Sequence, residues 1–199
     1  MIKIFRKTRL QLMDKNKKGS YLKYAFGEII LVVIGILIAL SINNWNENRK
    51  DKNYLNKIYT SIQNELKESK VNLEASIPKQ QVLIDSLMQY VNNDSISIYG
   101  IIRKADGIQS PIIKTNSWKA IANSKIELIE FEKLSALSEI EETKKNLDLK
   151  TTKLVDYLIE NLKTTNKEKK EVFLLLSEEI LSTSRYSQSE IEEFLNEYD

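Results

Sequence analysis

Residues 25–42 read AFGEIILVVIGILIALSI, an apolar run whose single charge, Glu28, lies one turn from its start. At about 1.5 Å per residue the run reaches roughly 27 Å, and Tyr24 with the polar residues that follow extends it to the ~30 Å hydrocarbon thickness of a bilayer. Eleven of the eighteen residues are Ile, Leu or Val. At roughly −0.3 to −0.6 kcal/mol each, they contribute about −5 kcal/mol to insertion. Glu28 opposes this by less than the ~3 kcal/mol charged-residue cost at the bilayer centre, because it sits off centre. The run therefore predicts a transmembrane helix over residues 24–43.

The charge on either side of the run sets its expected orientation. Residues 1–23 carry eight basic side chains and one acid, Asp14, a balance of +7, whereas residues 43–199 hold 22 basic and 26 acidic residues, a balance of −4. Basic residues beside a first span retain that end in the cytoplasm, so residues 1–23 read as a cytoplasmic tail and residues 44–199 as an exported domain. This implies the inner (cytoplasmic) membrane, with the C-terminal domain in the periplasm. Tyr21, Tyr24 and Phe26 at one end and Trp45 at the other suit the two interfacial belts. A cleaved signal peptide is the competing reading, with Ala39 and Ser41 as a weak cleavage site. The long basic region, the long apolar run and Glu28 favour an uncleaved signal anchor. Within the tail, Ile2, Phe5, Leu12 and Met13 share part of a helical wheel with Arg9. That pattern fits either an interfacial helix on lipid or an unstructured topogenic tail.

Composition narrows the chemistry. The chain has no cysteine and no histidine, which removes disulfides, thiol nucleophiles, thiolate metal sites, the commonest general base and the commonest metal ligand. Gly-rich phosphate loops, zinc signatures and nucleophile elbows are absent from the sequence. The expectation is a non-enzymatic protein without a cofactor. Its partners are the lipid bilayer and either further copies of the chain or an envelope protein, and nucleic acid is not among them.

Five glycines and two prolines in 199 residues leave little punctuation, so the exported part reads as all-α, a long-helix bundle or coiled-coil hairpin. Leu55, Tyr59, Ile62, Leu66, Ser69 and Leu73 form a heptad-like seam. Asn43, Asn44, Trp45 and Asn46 are a potential break before it. Pro78 interrupts this helix or begins a second one, with Val82, Leu83, Leu87, Tyr90 and Val91 as its buried stripe. Residues 92–115 are rich in turn signals, and 95–102 suits a strand or a short helix. Asn116 or Ser117 caps a short helix containing Trp118, a core residue. The strongest periodicity, Leu137, Ile140, Lys144, Leu147, Thr151, Leu154 and Leu158, predicts a long helix from about Glu127 to Lys163. A further helix over 167–181 is followed by a terminal one opened by Ser187 and Glu190, which have capping-box spacing.

The stretch KYAFGEIILVVIGILIALSINNWNENRK at 23–50, behind a basic tail, resembles an uncharacterised family of small single-pass membrane proteins of Bacteroidota. TNSWKAIANSKIELIEFEKLSAL at 115–137 is similar to a second, looser segment of that family, with Ala122-Asn123-Ser124 in place of its Ser-Ser-Gly turn. The resemblance implies membrane topology and a variable helical region. It supplies no catalytic residues.

Four residues stand out as membrane or partner contacts. Glu28, ionisable within the span, suits the interface near Lys23, a second span or a proton path. Gly35 and Ala39 have the small-xxx-small spacing that lets helices approach closely, and Trp45 marks the outer interface. The clusters Glu127, Glu130, Glu132 and Glu139, Glu141, Glu142 read as solvated helix faces rather than as carboxylate pairs or Ca²⁺ ligands. The first function expected is an interaction or structural protein anchored in the membrane. The alternative is a sensory or regulatory subunit that couples an external signal to a membrane partner.

Overall fold

The computed structural model describes residues 18–198, with side chains from residue 22 onward. The tail pattern of Ile2, Phe5, Leu12 and Met13 and the side chain of Tyr21 lie outside the described residues. Five α-helices and one 3₁₀ turn make up the described chain: α1 (Lys18–Tyr90), α2 (Ile98–Lys104), α3 (Asn116–Ala122), the turn Ile126–Leu128, α4 (Phe131–Asn161) and α5 (Lys167–Tyr198). No strand occurs among the described residues. The chain divides into two compact units, which meet between Asn53 and Tyr54.

In the first unit α1 carries one segment long and apolar enough to cross a membrane, with mean hydropathy 2.7 and none of its side chains buried. The helix does not break at Asn43–Asn46. Local i,i+4 pairs bridge that stretch, with Asn43 Nδ2 donating to Glu47 Oε1 at 3.4 Å and Arg49 lying 6.0 Å from the centre of the Trp45 ring.

The second unit is a bundle. From Ile62 onward the buried residues of α1 are Ile62, Leu66, Ser69, Leu73, Ser76, Gln80, Leu83, Ile84 and Leu87, a nearly strict 4,3 spacing. Pro78 neither ends nor starts a helix, because α1 runs through it. Its ring lies on the exposed face, and the buried residues before and after it keep the helix in register despite the missing N–H bond to Glu74. Val82 is exposed and Ile84 is buried in its place, which corrects the stripe expected beyond the proline.

α5 packs antiparallel along α1. Tyr198 O accepts from Gln63 Nε2 at 2.8 Å, Glu192 pairs with Lys70 at 3.2 Å, and Arg185 donates to Gln81 Oε1 at 3.0 Å. α4 pairs antiparallel with α5, joined by Lys150 to Thr183 at 2.9 Å and by the Tyr157 hydroxyl to Lys169 O at 2.8 Å. The expected seam of α4 is buried at Leu137, Ile140, Leu147 and Leu154 and half-buried at Lys144, Thr151 and Leu158. Leu73 and Leu87 of α1, these leucines of α4, and Phe173, Ile191 and Phe194 of α5 belong to one apolar core. α4 starts at Phe131, later than the expected Glu127, which lies in the 3₁₀ turn.

Ser187 is not a cap. It lies inside α5, 2% exposed, in the run Phe173, Ser177, Ile180, Ser184, Ser187, Ile191, whose 4,3,4,3,4 spacing keeps one face in the core. Ser177 and Ser184 bury their hydroxyls by donating to the carbonyls of Phe173 and Ile180, both at 2.8 Å. The true cap of α5 is Asn166, whose Oδ1 accepts from Lys169 N at 3.0 Å.

The irregular middle is stitched to the bundle. Of residues 95–102, 98–102 form the first part of α2 and 95–97 the turn that leads into it. Its Ile98 and Tyr99 amides donate to Thr164 O (3.0 Å) and Leu162 O (2.8 Å) in the α4–α5 connection, and Ser97 caps it. A Cβ at Gly100 would meet Ile96 Cγ1 at 2.8 Å, so any larger residue there would have to displace the Ile96 side chain. After α2 the backbone reverses through Asp106 and Gly107, at φ 60° and 100°, where glycine is favoured.

Candidate functional site

The surface of α1 over residues 22–42 is the candidate contact site of the first unit. Its large apolar side chains, from Leu22 to Ile42, are exposed. Because α1 is an unbroken α-helix here, positions advance by about 100° per residue. Glu28, Gly35 and Ala39 then fall within about 40° of one another, on a single face. Trp45 lies about 100° round from Glu28 and is not part of that face. A Cβ built on Gly35 would meet nothing within 4 Å, so the groove at Gly35 is open to an approaching helix or acyl chain. Of the interfacial aromatics, Phe26 and Trp45 are exposed and Tyr24 is half-buried.

The second unit presents several buried or clustered polar groups. No group of three or more potential metal ligands is assembled among the described residues. Glu127, Glu130, Glu132, Glu139 and Glu142 are exposed as expected, but Glu141 is only 6% exposed. It turns inward towards α3, where Lys119 Nζ lies 3.3 Å from its Oε1, with Lys145 at 3.6 Å. The helical wheel puts Glu141 on the flank of α4 beside its seam, so the packing of α3 buries it.

α3 is capped from another helix. Thr115 precedes it without a side-chain cap bond. The Glu65 carboxylate of α1 instead accepts from Ser117 N (3.1 Å) and Ser117 Oγ (2.9 Å). Glu65→Ala is expected to cost about 1–2 kcal/mol, as cap removal does, and Glu65→Gln less than half of that because an acceptor remains. Urea unfolding followed through Trp118 fluorescence, in a Trp45→Phe background, checks the ordering.

A polar cleft of about 170 Å³ between α4 and α5 gathers Glu139, Tyr186, Glu190 and Glu193. The Tyr186 hydroxyl donates to Glu139 Oε1 at 2.9 Å. That bond, with the charge of Glu190, pushes the phenol up to about 12. Burial raises the Glu190 carboxyl above its ordinary 4.5, against the lowering effect of the Thr143 hydroxyl. An acid raised by folding contributes stability below its ordinary pKa and loses it as pH climbs through the raised value. Glu190→Gln is therefore expected to raise the unfolding midpoint at pH 7, by about 2–4 °C for each 1 kcal/mol, with the gap closing as pH falls towards 4.5. Equal midpoints at pH 7 would contradict this.

Lys170 had no recognisable signal in the sequence. It is fully buried at the start of α5, and its Nζ donates to Asn93 O at 2.6 Å and Tyr90 O at 3.4 Å, closing the C-terminal end of α1. Burial lowers its pKa, and Asp94 opposes the shift.

This geometry defines a helical chain with one apolar, uncovered helix segment and a helical bundle, with no strand among the described residues. A family model described as "Family of unknown function (DUF6090)" matches residues 28–102, that is, most of the apolar segment, the rest of α1 and the greater part of α2. The chain is similar to that family over those residues. Neither the curated proteins nor the solved structures contain a match.

Proposed function

We propose that this is a single-pass protein of the inner membrane, of the Bacteroidota type that residues 23–50 resemble, anchored uncleaved by residues 24–43. Its basic end faces the cytoplasm and its bundle the periplasm. It works there without catalysis, as an interaction or structural protein that binds copies of itself or an envelope partner. The observation that carries this reading is the apolar segment of α1, none of which is buried. A core helix of a soluble protein is mostly covered, so lipid is the natural environment for this one. The shared face of Glu28, Gly35 and Ala39 supports association of the span with another helix.

A regulatory role is the second reading. It is favoured by the continuity of α1, which carries both the Glu28 face and the buried seam from Ile62 to Leu87. A span displaced by a partner is then covalently continuous with a core element of the bundle.

Photoreactive residues at the exposed positions Phe131, Ile159 and Leu175 test the reading in cells. Leu66, Leu147 and Leu154 are unsuitable for this because they are buried. Capture of the chain's own copies supports a self-assembling structural protein, and a reproducible second protein supports an accessory subunit. A chain that crosslinks to nothing contradicts the interaction role. Because the chain lacks cysteine, Ile159→Cys can be labelled with an impermeant maleimide. Protection from the reagent in cells with a permeabilised outer membrane would overturn the orientation.

A further inference from the structure

Between the Asp106-Gly107 reversal and α3 the chain forms an extended strap that lies along α1. Its hold on α1 is a ladder of side chains at helical spacing. The Ile112 amide donates to Asn72 Oδ1 at 2.6 Å, the Lys114 amide donates to Ser69 Oγ at 2.9 Å, and Gln80 Nε2 donates to Gln109 O at 3.2 Å. Beneath the strap, where it faces α1, α4 and α5, lies a small cavity of about 20 Å³. Its polar lining comes from Gln80, Gln109, Ser110, Thr151 and Ser177, and the rest is aliphatic.

Gln80 is 5% exposed, and its Oε1 is buried without a hydrogen-bond partner among the described residues. A buried amide oxygen of this kind is nearly always satisfied by protein or by ordered water. The volume exceeds the ~10–15 Å³ that one water requires, and the lining offers the two to four polar partners that separate a wet cavity from a dry one. We propose that this cavity binds one ordered water molecule, which completes the hydrogen bonding of Gln80 and joins that strap-holding residue of α1 to α4 and α5. The water donates one hydrogen to Gln80 Oε1. Its second goes to Ser177 Oγ, which is free to accept because its own hydrogen is committed to Phe173 O. It accepts from the Thr151 hydroxyl. Three bonds are the usual complement of a buried water.

The test is water-to-protein cross-relaxation by NMR on the full chain in detergent micelles, recorded for the wild type and for Thr151→Val. The substitution keeps the shape and β-branching of the side chain and removes only the hydroxyl, so the bundle should still form. In the wild type, cross-peaks from a long-lived water to the Gln80 side-chain amide and the Ser110 backbone amide are expected. In Thr151→Val they should be at least halved, with a lowered unfolding midpoint. Absence of these cross-peaks in the wild type while the Ile112 and Lys114 amides remain protected would mean a closed but dry strap and would overturn the proposal. Undiminished cross-peaks in Thr151→Val would overturn the assigned coordination.

Discussion

Lys170→Met should destabilise the bundle by roughly 2–4 kcal/mol, the cost of leaving buried acceptors without a charged donor. Methionine approximates the methylene stem, so the change isolates the ammonium. Two carbonyls then lose their charged donor, Asn93 O at 2.6 Å and Tyr90 O at 3.4 Å, and keep only the Ile96 amide (3.3 Å) and the Asn93 amide (3.1 Å) respectively. Tyr90 is the last residue of α1, at the negative end of the helix dipole, which favours a cation. Replacing a buried ion pair by apolar residues is often neutral because both charges leave together. Here the acceptors are backbone groups that stay behind. The expected loss corresponds to a midpoint about 5–15 °C lower, read from thermal unfolding through Trp118. Hydrogen exchange should also accelerate at Ile98 and Tyr99, whose amides bond the neighbouring α4–α5 connection. A loss under about 1 kcal/mol would show that the Asn93 and Ile96 amides satisfy those carbonyls without the lysine.

The double substitution Ile34→Asp, Ile38→Asp should release the chain from the membrane. Each aspartate near the centre of a span costs about 3 kcal/mol, so the pair outweighs the ~5 kcal/mol contributed by the aliphatic run. Both positions are exposed on α1, so the change removes no contact inside the chain. The wild type should remain in the pellet after alkaline carbonate extraction, and the double variant should move to the supernatant. The matched control Ile34→Leu, Ile38→Leu should stay in the pellet. A double variant that still pellets in carbonate would refute anchoring by this segment.

How much of the bundle could be read in advance differs from element to element. The seam of α4 emerged at its expected positions, because Leu137, Ile140, Leu147 and Leu154 recur at the period of the helix itself. Lys144 and Thr151 were half-buried there, as a seam with polar members allows. Trp118 lies in the core as expected. Punctuation was where local reading failed. Asn43–Asn46, Pro78 and Ser187 each carry a local signal for a helix end, and the helix continues through all three. A breaking residue costs a few kcal/mol at most. The buried positions that flank Pro78 and Ser187 supply more than that once the partner helices are in place.

The polar features were legible only in part. Glu28 stands out by its charge and Gly35 with Ala39 by their spacing, and the helix over this segment puts all three on one face. Glu141 read as one solvated acid among several, yet α3 covers it. Glu65, Gln80 and Lys170 carry no local signal, because what gives each its role is a partner 29 to 80 positions away in the chain.

Hydrophobic period, charge asymmetry and the absence of cysteine and histidine belong to the chain as written. They were enough to set the helical class and the apolar segment long enough to cross a membrane, and they leave the chain without thiol or imidazole side chains. Which helix ends are real, where the strap lies and which polar groups are buried were decided by the fold. Those outcomes depend on the free energy of bringing together residues far apart in the chain, and a local pattern carries no record of that sum.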